Sequence, residues 1–164
     1  INNGFDLLYI SSGIHAKDYG VHGKPGNDRL EAWLKGHGVA PAQIAKTLSL
    51  RIKDRALLIV TCGDARLNNR KIKDVLGGKP RMLSQDEVAA LTGHPVGGVC
   101  PFGLATPLPV YCDVSLKAFD EVVPAAGSTN SAVRISPDRM VALVGAEWID
   151  VCDRPGAPSE PVQP

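Results

Sequence analysis

The sequence predicts a single mixed α/β domain, of the α+β type, with a mostly antiparallel, barrel-like sheet flanked by helices. Three observations predict it. Residues 56–62 (ALLIVTC) form a continuous apolar run with β-branched members, the pattern of a buried strand. Segments carrying helix caps alternate with such strands along the chain. The connections between the later strands, PAAGSTN for example, are too short for parallel crossovers. A chain of 164 residues is long enough for one domain with its own core.

Residues 1–28 read as a poorly organised segment. Within it FDLLYI can form a strand, and DYGVHGKPGND is rich in turn residues. The organised domain, residues 29–153, starts after Asp28, a candidate cap for a helix over RLEAWLKGHG with Leu30, Trp33 and Leu34 on one face. Pro41 suits the first position of a second helix, PAQIAKTL, in which Ile44 and Leu48 share a face and Lys46 lies on another. The strand at 56–62 follows. The basic run 66–81 (RLNNRKIKDVLGGKPR) holds a helix anchored through Ile72, Val75 and Leu76 and stopped by Gly77 and Gly78. Ser84 with Glu87 forms a capping box before VAAL. Residues 94–109 are too rich in Gly and Pro for regular helix. Strands are expected at 109–114, 121–123 and 131–135, a short helix in SPDRMVALVG capped by Ser136 or Asp138, and a last strand at EWIDVC. Residues 154–164 read as a Pro-rich tail.

Composition narrows the function classes. The formal charge of +1 argues against a binder that works through total charge, yet leaves room for a local basic patch. Cys62, Cys100, Cys112 and Cys152 include no CxxC pair and no cluster with histidine, so reduced thiols in a cytoplasmic protein are expected, with no metal site and no cofactor. No apolar stretch is long enough for a membrane span, and residues 1–14 lack the basic start and apolar core of a secretory signal.

Most catalytic signatures are missing: there is no GxSxG, no HExxH and no GxxxxGK[ST]. His15, His22 and His37 read as surface residues, whereas His94 stands beside a glycine loop. Two features remain. Lys46 sits among small and apolar neighbours in AKTL. On the residues alone an ordinary solvated helix lysine is the stronger reading, and an ammonium aimed at a phosphate or ester carbonyl the sharper one. The loop VGGVCPFG at 96–103 exposes backbone N–H groups that can cradle an oxyanion or phosphate. An ordinary tight loop is about as well supported.

In order along the chain stand AKTL, ALLIVTCGD, RLNNRKIKDVLG, MLSQDEVAALTGHPVGGVCPFGL, PVYCDVSL and AAGSTNSAV. This series, over residues 38–152, resembles the YbaK/ProX family, free-standing relatives of the editing domain inserted in bacterial prolyl-tRNA synthetase. The resemblance implies a barrel-like mixed sheet and hydrolysis of the ester joining an amino acid to the terminal adenosine of tRNA. It places the family's K-T-L lysine at Lys46 and its glycine loop at Gly97, Gly98, Pro101 and Gly103; the glycine amides would act beside Lys46, with Pro101 in contact with the substrate. Cys100 and His94 would line the substrate pocket with Gly127, Ser128 and Asn130. The chain departs from the Cys-clearing branch: Ala125 and Ala126 precede Gly127 where a serine is usual, and Ala132 and Val133 stand near the expected aspartate. The expected cargo is a small amino acid such as Cys, Ala or Ser on tRNA-Pro, and which of them is removed is thereby left open.

An activated ester needs positioning and carbonyl polarisation more than a strong side-chain nucleophile. Cys100 therefore reads as a small loop residue rather than a catalyst. Arg66, Arg70, Lys71 and Lys73 are candidates for the tRNA acceptor stem, with Lys79 and Arg81 nearby, and a solvated helix face is an equal reading. The expected partners are mischarged tRNA and a prolyl-tRNA synthetase. The alternative is a non-catalytic tRNA-binding or synthetase-associated module.

Overall fold

The computed structural model describes residues 5–9, 35–128 and 131–153, the first five as backbone. Residues 29–34 of the expected first helix, most of the segment 1–28, Asn130 and the tail 154–164 lie outside the described residues.

The framework is a hairpin of β2 (Ile44–Ile52) and β3 (Arg55–Cys62), paired without interruption from Ala45↔Cys62 to Ile52↔Arg55. Its two-residue turn, Lys53–Asp54, places Lys53 at φ 55°, as tight hairpins of this kind demand. β3 is buried from Leu57 onward, and Leu58, Ile59 and Val60 are 0% exposed at the centre of the core. β2 is a correction to the sequence reading, which made residues 41–48 a helix. Only Pro41–Gln43 turn helically, as one 3-10 turn. Ile44 and Leu48 fit both a helical spacing and the even positions of a strand, and eight residues of pairing with β3 decide for the strand.

The remaining elements assemble around this hairpin. β4 (Arg66–Leu67) leads into α1 (Asn69–Leu76), capped by the Asn68 side chain, which accepts from the N–H groups of Arg70 and Lys71. Gly77, at φ 81°, ends the helix. The helix is thus shorter than the basic run, because Asn68 caps it only after a strand at 66–67. β5 (Pro80–Met82) lies antiparallel on β2 at residues 50–52. α2 (Gln85–Thr92) follows with the Ser84/Glu87 capping box closed on both sides.

β6 (Val110–Asp113) runs parallel to β3, and β9 (Glu147–Ile149) runs parallel to β6. β7 (Val123–Pro124) lies parallel to β2 at Ile44 and Ala45. These parallel pairs were not foreseen. They arise because sequential strands are often not neighbours, so residues 63–109, with α1 and α2, supply the crossover from β3 to β6. The principal sheet has the order β5-β2-β3-β6-β9 with β7 beside β2. The sheet is mixed and open rather than closed into a barrel.

β8 (Ser131–Ile135) pairs with β1 (Phe5–Tyr9), and α3 (Pro137–Val144) is capped by Ser136. The expected single strand EWIDVC is split: β9 joins β6, and β10 (Cys152–Asp153) turns away to join β4. The buried carboxylate of Asp113 fixes that break. It accepts from the N–H of Ser115 at 2.9 Å, Val151 at 2.8 Å and Cys152 at 3.2 Å.

Candidate active site

Lys46 stands near the start of β2, opposite Thr61 of β3. Its ammonium donates to the carbonyl of Ala65 at 2.5 Å and of Gly63 at 3.2 Å, both in the turn that leaves β3. That turn sits tightly on the 3-10 turn: a Cβ at Gly63 would lie 2.7 Å from the Pro41 carbonyl oxygen. Partial burial, before any neighbouring charge, holds the Lys46 pKa below the usual lysine value, with Cys152 and Asp64 acting in the opposite direction. Lys46 is therefore a strand residue with a half-buried, anchored ammonium.

The glycine loop makes a different set of contacts. Gly127 donates its N–H to the Gly98 carbonyl at 3.1 Å. A Cβ at Gly98 would lie 2.7–2.9 Å from three backbone atoms of Ser128, so only glycine permits this approach. His94 packs over Gly127, whose own φ is 92°. The Cys100 sulfur lies 3.8 Å from His94 Nδ1 and 4.0 Å from Nε2, and donates to the Phe102 carbonyl at 3.6 Å. Burial holds the His94 pKa below the usual histidine value and that of the Cys100 thiol above the usual cysteine value. Ser128 Oγ and Ser131 Oγ are hydrogen-bonded at 2.6 Å. His94, Gly98, Cys100, Gly127 and Ser128 thus form one clasp between two loops.

Other expected residues divide. The Gly98 N–H already donates to the Pro95 carbonyl at 2.9 Å, so this glycine serves close packing rather than oxyanion binding. Gly97, at φ 94°, is half-buried at the tip of the loop. Pro101 is buried, while Gly103 is an exposed turn residue at φ 57° with open space where a side chain would be.

On the basic run, Arg66, Arg70 and Lys73 are exposed. Lys71 is not available in the same way. Its ammonium bonds Asp150 Oδ1 and the Cys152 carbonyl, each at 2.9 Å, strapping α1 to the β9–β10 turn. Asp150 is the first cause of its raised pKa. The four cysteines are buried free thiols, with burial pushing Cys62 up to about 11 and Cys112 to about 12. No group of His, Cys, Asp and Glu able to hold a metal ion occurs among the described residues.

The sequence reading passed over Thr47. Its Oγ1 is buried and has no hydrogen-bond partner. Its place beside Lys46 was visible, but nothing in the sequence marks a hydroxyl as unpartnered.

Comparison with known proteins gives this geometry its context. The family model of the aminoacyl-tRNA editing domain matches residues 24–143. The chain belongs to that family. The protein named "Uncharacterized protein YwhH" of Bacillus subtilis is 50% identical over 117 residues, covering 70% of this chain and 74% of that one. An Enterococcus faecalis relative, "Putative Cys-tRNA(Pro)/Cys-tRNA(Cys) deacylase EbsC", is 22% identical over 142 residues, covering 79% and 87%. Among solved structures, one described as "a putative trans-editing enzyme for prolyl tRNA synthetase" superposes with a TM-score of 0.75 at 30% identity, covering 92% of this chain and 87% of that one. Among the described residues of this editing-domain protein, no helix is long and apolar enough to cross a membrane.

Proposed function

We propose that this editing-domain protein is an aminoacyl-tRNA deacylase, which hydrolyses the ester of a small amino acid wrongly attached to tRNA. The clasp carries this reading: a glycine loop fixed against Gly127 and Ser128, with His94 and Cys100 within it. The names of the Enterococcus relative and the solved neighbour point to the same chemistry and to tRNA-Pro.

In this reading the clasp holds the aminoacyl group, and the remaining loop amides, Gly97 first, meet the oxyanion that forms when water attacks the carbonyl. Loss of one such donor typically costs about 10²–10³ in kcat. Lys46 has two N–H groups on turn carbonyls and a third to offer to a phosphate or ribose oxygen of the terminal nucleotide. Small-residue selectivity suits a second sieve, since one methylene gives a synthetase only about 1–3 kcal/mol of discrimination. Arg66, Arg70 and Lys73 are the phosphate contacts of this proposal. Lys71 leaves the set because Asp150 holds it.

The test is release of Ala, Cys and Ser from mischarged tRNA-Pro by wild type, Gly98→Ala and Lys46→Ala. Fast release by wild type, lost in both folded variants, is the expected result and names the amino acid. Tight tRNA binding without release of any amino acid would instead mark a binding module.

A further inference from the structure

β2 carries strands on both edges, but the outer edge is covered in two pieces. β7 takes Ile44 and Ala45, and β5 takes Leu50 to Ile52. Among the described residues no strand covers the stretch between them. The direction of the backbone groups in this gap follows from the pairing. The Ser49 carbonyl accepts from Leu83 N–H at 3.0 Å, just beyond β5, so Ser49 points its polar backbone outward. In an antiparallel pair a residue's N–H and C=O face the same neighbour and alternate along the strand. Thr47, two residues earlier, therefore also presents its N–H and C=O to the gap.

The Thr47 side chain adds a second, independent observation. Its Oγ1 is buried and unpartnered, the described residues' one such side-chain atom. A buried hydroxyl left unsatisfied is unfavourable, and native structures retain few of them. At one end of the gap β7 pairs with Ile44 and Ala45 and then runs into residues 125–128, the loop on which the glycine loop is clasped. Thr47 thus stands two residues beyond Ala45, where β2 meets the strand that leads into the clasp.

We propose that Thr47 is a substrate-binding residue that seats the aminoacyl end of the charged adenosine on the open edge of β2. An aminoacyl ester carries an α-ammonium donor and a carbonyl acceptor one carbon apart. The Thr47 C=O takes the ammonium, its N–H takes an oxygen of the substrate, and Oγ1 closes the remaining bond, as an added strand does at a sheet edge. The inference rests on the deacylase reading for its substrate, and assigns to the chain a recognition element distinct from Lys46. Alternation along β2 turns the Lys46 and Thr47 side chains to opposite faces, so their roles are separable.

The experiment compares Thr47→Val and Thr47→Ser with wild type, using adenosine that carries alanine, cysteine or serine through a non-hydrolysable 3′-amide. Binding is read by calorimetry and stability by thermal unfolding. Valine preserves the shape and removes the orphan hydroxyl. The expected result is about three- to tenfold weaker binding of the preferred amide with no fall in Tm, and binding within about twofold of wild type for serine. Unchanged affinity in Thr47→Val overturns the proposal. So does a lowered Tm, which would give the hydroxyl a structural partner, and so does failure of wild type to bind any of the amides. If the amide results hold but wild type releases no amino acid from tRNA, the deacylase reading falls and the Thr47 assignment stands. If release is fast and Thr47→Val leaves KM unchanged, Thr47 alone falls.

Discussion

The two edges of β2 are finished differently. Toward β3 every residue from Ala45 to Ile52 has a cross-strand partner, and the strand it meets is buried along nearly its whole length. Toward the outside, two short strands cover the ends and leave Thr47 between them. The inner edge holds the fold, whereas the outer edge carries the residue whose hydroxyl is unpartnered, Thr47. Substitutions on the two sides should therefore separate stability from activity.

The largest stability effect belongs to the inner side. Leu58, 0% exposed, packs in the core between β2 and β6. Leu58→Ala should lower unfolding free energy by about 2–5 kcal/mol. Urea unfolding measures it. A loss below about 1 kcal/mol would mean that the hairpin core repacks and that the contrast between the edges is overstated.

Gly98→Ala tests the other side. The added methyl meets Ser128 backbone at 2.7 Å, so one loop must move. Overpacking of this kind costs about 1–3 kcal/mol, less than the core truncation. The effect on deacylation should be larger, about tenfold or more in kcat/KM, because a displacement near 1 Å at a reacting centre can cost about 10²-fold. A variant with wild-type turnover and reduced stability would make the clasp structural.

How much of this contrast could be read beforehand depends on range. Local signals were faithful: the Ser84/Glu87 box, the Gly77 stop and the strand at 131–135 stand where the sequence puts them, and of the two caps offered for α3 the structure takes Ser136. Each depends on residues within one turn or one hairpin. Signals that depend on distant partners failed. Residues 44–48 carry both periodicities, and only β3 selects the strand. The split of EWIDVC depends on Asp113, some forty residues earlier, accepting the N–H groups of Val151 and Cys152. In the site, the glycines and His94 were legible as loop chemistry. The capture of Lys71 by Asp150 and the isolation of the Thr47 hydroxyl were not, since both are made by tertiary neighbours.

The pH dependence of Lys46 gives a third, smaller test. Its folded pKa is held below 10.5 by burial, so the unfolded chain binds this proton more tightly. The charged form therefore costs stability below the folded pKa. That cost is relieved as pH rises from the folded value toward 10.5. The stability difference between wild type and Lys46→Met should move in favour of wild type across this alkaline window. Paired denaturant titrations at several pH values measure it. A difference that moves the other way would mean that the two turn carbonyls and Asp64 outweigh burial.

The smallest effect separates the basic residues of α1. Lys71 is tied to Asp150, and this exposed pair is worth about 0–1 kcal/mol of stability. Lys71→Met should lower stability by that little and leave tRNA affinity nearly unchanged. Lys73→Met should do the reverse: no measurable change in stability, but weaker tRNA binding and a salt slope smaller by about 1, as loss of one phosphate contact predicts. Affinity measured against salt for the two variants decides the matter. Equal slopes in both would remove this helix from the RNA surface, and a reduced slope in Lys71→Met would mean that tRNA draws Lys71 away from Asp150.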